Sequence, residues 1–356
     1  MIASQQATDQ PMNPEKSIKL SVQIPLFLLL NLVLYFLDLW TNQALLCLVI
    51  DVILFGKIVN DGMKLVPVRY KKGSERFVTL LFPILLLSIW EIFASTGKIN
   101  PTWFPEPTKI LTSLWELITV PEKFSETTLL GRPWMILERY QEQGLEGVWK
   151  LVEEGHVWAT LYRVVMGFVI GLVPAVFCGF LMGMNKTIRL MFDSILSAIY
   201  VLPKIAIFPI VMLVFADPFG DAPRIAVVAL SVFFMMTIHT MGAVQNVEGI
   251  YILAGRNYGA HGLKLFFKVI LPGSLPSIFS GMRVALGMAL IVIIAVEFLR
   301  AEKGVGYLIY YNWEILAPEK MYAGLITVML IGILTTLILK LLQYLALPWK
   351  RHSLFK

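Results

Sequence analysis

LAGRNYGAHGLKLFFKVILP, residues 253–272, is a polar and basic island between two long apolar segments. Ala254, Gly255 and Gly259 are small residues at helical spacing, and small residues on one helix face let a second backbone come close. Gly259 is placed to stop a helix, because glycine adopts the left-handed conformation with which many helices end. Arg256, Lys264 and Lys268 carry the charge of the island, with no acid among them. That balance is expected of a loop on the cytoplasmic side of a membrane. The stretch therefore reads as part of a loop, about 245–274, held outside the bilayer between two spanning segments.

Composition agrees. Of 356 residues, 57% are hydrophobic and 15% charged, where soluble domains are about half apolar and about a quarter charged. Several uncharged apolar stretches are long enough to cross a bilayer, so the chain reads as a polytopic membrane protein. The net charge of +6 invites a nucleic-acid partner. The Lys and Arg residues fall in alternate loops, however, so topology accounts for them and no nucleic acid is expected. Cys47 and Cys178 both lie in apolar segments. They form neither a disulfide framework nor a metal-ligand spacing, and no cofactor is expected.

At the start of the chain, IPLFLLLNLVLYFLDLW (24–40) and ALLCLVIDVILFGKIV (44–59) are apolar runs split by Thr41, Asn42 and Gln43. Each is near the lower length limit for a spanning helix. The polar residues at the junction, with Asp38, predict a two-helix hairpin over residues 1–60. Lys16 and Lys19 precede the first run, and Leu37–Trp40 offers no small-residue cleavage site, so an uncleaved span is expected. A basic linker, 61–76, carries Lys64, Arg69, Lys71, Lys72 and Arg76.

FVTLLFPILLLSIWEIFAS (77–95) is the next span. Residues 96–157 are soluble in character and rich in glutamate, with Pro101, Pro105 and Pro107 near their start. Thr108 to Val120 alternates apolar and polar residues at helical spacing, which predicts an amphipathic helix on the membrane surface. Further spans are expected at about 158–183, 195–216, 223–243, 275–299 and 321–346. The predicted fold is all-α: a polytopic transmembrane bundle with a six-helix core over 77–356 and the N-terminal hairpin before it. With the N-terminus in the cytoplasm, the N-terminal tail, 57–76, 184–193, 245–274 and 340–356 face inward. These pieces carry most of the loop Lys and Arg, which predicts cytoplasmic N- and C-termini. Lys350, Arg351 and Lys356 follow Pro348 and Trp349, a basic end with an aromatic anchor.

The 253–272 stretch resembles the EAA loop of ABC-transporter permeases: Glu-Ala-Ala, three residues, Gly, nine residues, Ile, one residue, Leu-Pro. Here Leu253, Ala254 and Gly255 are followed by Gly259 and then by Val269, Ile270, Leu271 and Pro272. Leu253 stands at the acidic position and Gly255 at the second Ala. From about Phe77 onward the chain resembles a binding-protein-dependent ABC permease of the nitrate, taurine, aliphatic-sulfonate and bicarbonate branch. Leu161 to Phe168 (LYRVVMGF) resembles the opening of that branch's first core helix. Pro203 to Pro209 (PKIAIFP) resembles its third-span motif, and Glu297 with Gly304 to Ile309 (GVGYLI) its exit. Phe233 to Thr240 (FFMMTIHT) departs from the branch's "F-F-P-x-x-x-N-T". The resemblance implies a permease dimer, expected to be a homodimer in the plasma (inner) membrane. It also implies cytoplasmic ABC ATPase subunits that receive Leu253, Ala254, Gly255, Gly259, Leu271 and Pro272, and an extracytoplasmic substrate-binding protein. The implied cargo is a small anion or organic acid, and no residue before about 77 has a counterpart in that core.

Polar groups within spans are costly and point to function. Lys204 follows Pro203, where it can satisfy a carbonyl freed by the proline or attract an anion in the translocation path. His239 and Thr240 are candidates for that path, with interhelical hydrogen bonding as the alternative for His239. Glu297 is expected on the path or paired beside the Gly-rich turn. Glu91, Arg163 and Arg283 read as helix-end groups that snorkel or form ion pairs. Asp51 is expected either to contact a partner or to pair inside the bundle. Gly167, Gly171, Gly179 and Gly183 fall on one helix face and predict close packing.

A stand-alone secondary transporter is the second reading. Such folds usually show internal repeats, and none is evident between the halves. A membrane-embedded enzyme would need titratable groups clustered at one depth, and the in-span candidates are scattered. Ser95 to Ile99 (STGKI) is the nearest approach to a phosphate loop and lacks both the upstream Gly and the Ser or Thr after Lys. The purified chain alone is therefore expected to hydrolyse no ATP. Turnover by contaminant-free protein in a phosphate-release assay would overturn this.

Overall fold

The structure is a computed structural model and describes residues 14–36, 44–64, 66, 68–121, 128–299 and 301–350. Among these residues it holds helices and turns and no strand. The expected hairpin break at Thr41, Asn42 and Gln43 lies outside the described residues, as do Asp38, Arg351 and Lys356. The chain divides into two compact units, Met1–Lys109 and Ile110–Lys356.

The first unit holds α1 (Pro14–Phe36), α2 (Ala44–Met63) and α3 (Val68–Ser95). Helices α1 and α2 run antiparallel. The Asn31 amide donates to Asp51 at 3.0 Å, and the Gln23 amide donates to Asp61 at 3.2 Å. Asp51 is thus paired inside the hairpin. Among the described residues of this unit, α3 is long and apolar enough over Gly73–Ser95 to cross a membrane. Asp51, Lys57 and Asp61 place three charges within α2. The helix of the third run also begins earlier than expected, at Val68, so part of the basic linker is helical. Among the described residues Glu91 forms no ion pair. It accepts from the backbone N–H of Thr108 at 3.0 Å and from its hydroxyl at 2.7 Å. These bonds cap the start of α4 (Pro107–Thr119).

The second unit continues with α5 (Ile136–Glu153), α6 (His156–Met184), α7 (Lys186–Val201), α8 (Lys204–Met212) and α9 (Asp221–Gln245). Next come α10 (Gly249–Asn257), α11 (Gly262–Glu297), α12 (Val305–Glu314) and α13 (Pro318–Ala346). Helices α6, α9, α11 and α13 are each long and apolar enough to span. The span expected at 195–216 is not straight: α7 and α8 meet at an angle of 93°. Pro203 is the cause, since it disfavours helical geometry in the residue before it, and Leu202 is extended at φ −60°, ψ 135°. Among the described residues, counting the bent pair as one, up to six helices can span, in agreement with the six-helix core.

The core is built on α6 against α9. A Cβ added at Gly167 would sit 2.6 Å from Val228, one at Gly179 2.5 Å from Thr240, and one at Gly183 2.7 Å from Val244. The glycine face is therefore a groove that takes the side chains of α9 at backbone distance. On its other side α9 meets α11, where a Cβ at Gly281 would sit 2.8 Å from His239. Val164, Ala175, Val232, Met236, Ala285, Ala289 and Ile293 are fully buried between these three helices. Gly179→Ala is expected to lower the thermal midpoint and the membrane abundance, since overpacking costs about 1–3 kcal/mol. Gly242→Ala, whose new methyl meets nothing within 4 Å, should leave both unchanged. Equal behaviour of the two variants in a thermal-shift assay would overturn the assignment of α6–α9 as the tight interface.

Candidate functional site

The island of residues 253–272 folds as a helix, a turn and a second helix. α10 ends at Asn257 and Gly259 follows with φ +75°. The N–H of Gly259 donates to the Arg256 carbonyl at 2.9 Å, and that of Ala260 to the Gly255 carbonyl at 2.9 Å. This pair of bonds is the Schellman arrangement, which satisfies carbonyls left over at a helix end. A residue other than glycine would sit there in strained backbone. Leu271 and Pro272 do not end a helix. Phe266–Ile270 forms a π-helical turn within α11, and the Leu271 N–H reaches the Phe266 carbonyl. The wider turn lets the helix run on through Pro272, which has no N–H to donate.

The two arms of the loop pack on each other at Gly255. A Cβ there would lie 2.9 Å from Val269 and 3.0 Å from Leu265. The small residue and the β-branched one, fourteen positions apart in sequence, are thus one contact. Ala260, Leu265 and Ile270 are buried, and Phe266 meets Phe180 of α6 edge-on at 5.0 Å. The opposite face is apolar and open. Leu253 is 61% exposed, Tyr258 88% and Leu263 76%, with Ile250, Tyr251 and Phe267 also exposed. Sequence reasoning singled out Leu253 and Ala254 on this face and missed Ile250, Tyr258, Leu263 and Phe267. Their signal was an apolar set that persists through a segment otherwise too polar to be a span.

The opposite ends of α6, α9 and α11 close on a buried polar cluster. Glu297, the last residue of α11, has no exposed surface. Its carboxylate accepts from Arg163 Nη1 at 2.7 Å, from the Thr160 hydroxyl at 2.9 Å and from the Gly306 N–H at 2.8 Å. Arg163 also donates to Asp221 at 2.6 Å and to the Lys303 carbonyl at 2.7 Å. The first three N–H groups of the α12 turn each find a side chain. Gly304 donates to His156 Nδ1 at 3.1 Å, Val305 to the Thr160 hydroxyl at 2.8 Å, and Gly306 to Glu297. His156 is therefore an acceptor at Nδ1, which requires its neutral form. Arg224, also buried, donates to the carbonyls of Phe219 and Gly220 at 2.5 and 2.6 Å. Gly304 has φ +128°, and a Cβ at Gly306 would sit 2.7 Å from that of Glu297. The Glu297 and Gly-rich pieces of sequence thus meet each other, and both meet Arg163 of the first core helix.

Residues 167–351 match the family described as binding-protein-dependent transport system inner membrane component. The chain belongs to that family. It is a membrane-spanning subunit of an ABC-type importer. TauC, the taurine transport system permease protein of Escherichia coli strain K12, is 26% identical over 82% of this chain and 97% of its own length. SsuC of Bacillus subtilis strain 168, named for aliphatic sulfonates transport, is 28% identical over 80% of this chain and 92% of its own. NrtB of Leptolyngbya laminosa, the nitrate import permease protein, is 25% identical over 70% and 80%. A structure of the MetNI methionine ABC transporter in an inward-facing conformation covers 57% of this chain and 97% of its own at 18% identity, with a TM-score of 0.46.

Within the permease the four candidate path residues do not come together. Lys204 opens α8, stands over the Tyr200 ring at 5.0 Å and donates to the Tyr200 carbonyl across the bend. The Ile199 carbonyl, four residues before Pro203, accepts instead from the Leu202 N–H at 3.1 Å. His239 is exposed and packs on Gly281. Thr240 and Glu297 are both fully buried within the chain, and Glu297 takes the paired alternative beside the Gly-rich turn. Thr240 packs on Gly179, and Glu297 is held as above. Arg283 is corrected: it lies in the middle of α11, not near an end, and donates to Gln343 of α13 at 3.3 Å.

Removing the Glu297 carboxylate leaves Arg163 buried beside Asp221 alone. Glu297→Ala is expected to destabilise by about 3–5 kcal/mol, the usual cost of breaking a buried pair. Arg163→Met with Glu297→Leu should recover part of that loss. The thermal midpoints of the single and double variants in detergent report it, and strictly additive losses would mean that the two groups act separately.

Proposed function

We propose that this permease carries a small anion or organic acid, of the sulfonate, taurine, nitrate or bicarbonate type, driven by ATP hydrolysis in a separate cytoplasmic ATPase. The names of its relatives support the cargo class. The exposed apolar face of α10 and its turn carries the coupling assignment. Outside a bilayer, an apolar face of this kind is an interaction site. Leu253 and Ala254 present it, Gly255 lets the second arm pack beneath it, and Gly259 turns the chain back toward α11. Leu271 and Pro272 lead into the spanning helix. The ATPase receives this face, an extracytoplasmic binding protein delivers cargo at the other end, and two copies of the permease assemble as a homodimer. Both termini lie in the cytoplasm of the plasma (inner) membrane. Residues 1–60 are an accessory hairpin, 61–76 a linker and 77–356 the permease domain. Lys204 and His239, which keep exposed surface, are the candidates for contact with the cargo.

Two variants test the coupling face. Tyr258→Asp changes a side chain that is 88% exposed, so the fold of the chain is untouched. Gly259→Asp adds a side chain in open space at positive φ, a strain of about 1 kcal/mol. Both are expected to reach the membrane at normal abundance, to lose capture of the ATPase in a pull-down, and to lose ATP-driven uptake. Cargo binding by the isolated binding protein should not change. Wild-type capture and uptake by Tyr258→Asp would remove this face as the docking site. Uptake that persists without any ATPase would favour a secondary transporter.

A further inference from the structure

We propose that the α1–α2 hairpin is a binding site for an anionic phospholipid of the surrounding bilayer. A groove of about 430 Å³ is lined by both helices, with Leu26, Leu30, Val33, Leu54 and Ile58 forming its apolar part. The helices are held at Asn31–Asp51 and Gln23–Asp61. Gln23 and Lys57 give the groove polar character toward one end, and Leu30, Val33 and Leu54 make the other end wholly apolar. A polar mouth leading into an apolar channel along a helix pair is the shape of one headgroup and acyl chain.

Two polar groups in this groove define the headgroup. Lys57 is exposed and forms no ion pair within 4.0 Å among the described residues. Asp61 is already engaged by Lys64 at 2.8 Å and by Gln23. Lys57 acts on Asp61 only through longer-range attraction, so its ammonium is open to an anion, and a lysine stem can lie along apolar surface while its ammonium reaches a phosphate. Gln23 gives its amide N–H to Asp61, and its Oε1 is buried without a hydrogen-bond partner. A buried acceptor of this kind calls for a donor. A phosphate for Lys57 and a hydroxyl donor for Gln23 Oε1 together describe phosphatidylglycerol chemistry.

The inference rests on one further premise, that the accessory α1–α2 hairpin lies in the bilayer, and it needs no ATPase. The full chain is reconstituted in nanodiscs of phosphatidylcholine with a minor fraction of phosphatidylglycerol. It is then released, and its retained lipids are counted by native mass spectrometry. Wild type should retain phosphatidylglycerol enriched roughly fivefold over the bulk ratio, the effect of one lysine near the headgroups. Lys57→Gln should return the ratio to bulk, Leu54→Trp should expel the retained lipid, and Lys71→Gln, outside the groove, should change neither. Retention at the bulk ratio by wild type, or an equal loss with Lys71→Gln and Lys57→Gln, would overturn the site. A Leu28→Cys variant probed with a membrane-impermeant maleimide tests the placement separately. Protection with no lipid enrichment defeats the lipid site, whereas free labelling defeats the placement on which it stands.

Discussion

The buried pair of Arg163 and Glu297 is the constraint around which this permease closes. Two charges removed from water are tolerated only when each lone pair and proton is met. Here the carboxylate has three donors and the guanidinium has two carboxylates and a carbonyl. Those partners come from α6, α9, α11 and the turn into α12. Satisfying one ion pair thus specifies how four elements meet at one end of the bundle. Such a pair adds little net stability, but breaking it is expensive, so its contribution is to the uniqueness of the arrangement.

The other end is governed by shape. Helix α11, with 36 residues, is about 54 Å long, well beyond an apolar bilayer core of about 30 Å. It is too long to lie wholly within the hydrocarbon without tilt, and its first turns form one arm of the loop. Helix α9 leads into the other arm, and its opposite end bears Asp221, held by Arg163. Between the two ends, α9 lies in the glycine groove of α6 with no room for an added methyl. A docked ATPase would thus act on helices whose far ends are fastened in the polar cluster.

Much of this was legible in the sequence because it depends on local chemistry. Apolar runs mark the spans wherever water is excluded, and the glycines of α6 mark a close face by their spacing alone. Gly259 marked a helix stop, and its φ of +75° bears that out. The bend at Pro203 was less legible. A proline can be absorbed in a helix, as Pro272 is by a π-helical turn, or can break it, as Pro203 does. Which occurs depends on the neighbouring backbone, not on the proline.

The sequence by itself determined the class of the chain, the order of its core spans and the place of the loop between α9 and α11. Those follow from hydropathy and from residues that restrict their own backbone. Only the tertiary structure decided the roles of the polar residues. Arg163 and Glu297 are 134 positions apart, and no periodicity couples them. Only packing showed that Thr240 and Glu297 are both enclosed within the chain. The partner of a buried charge is chosen by three-dimensional proximity, because the cost of an unmet charge depends on what surrounds it and not on its neighbours in the chain.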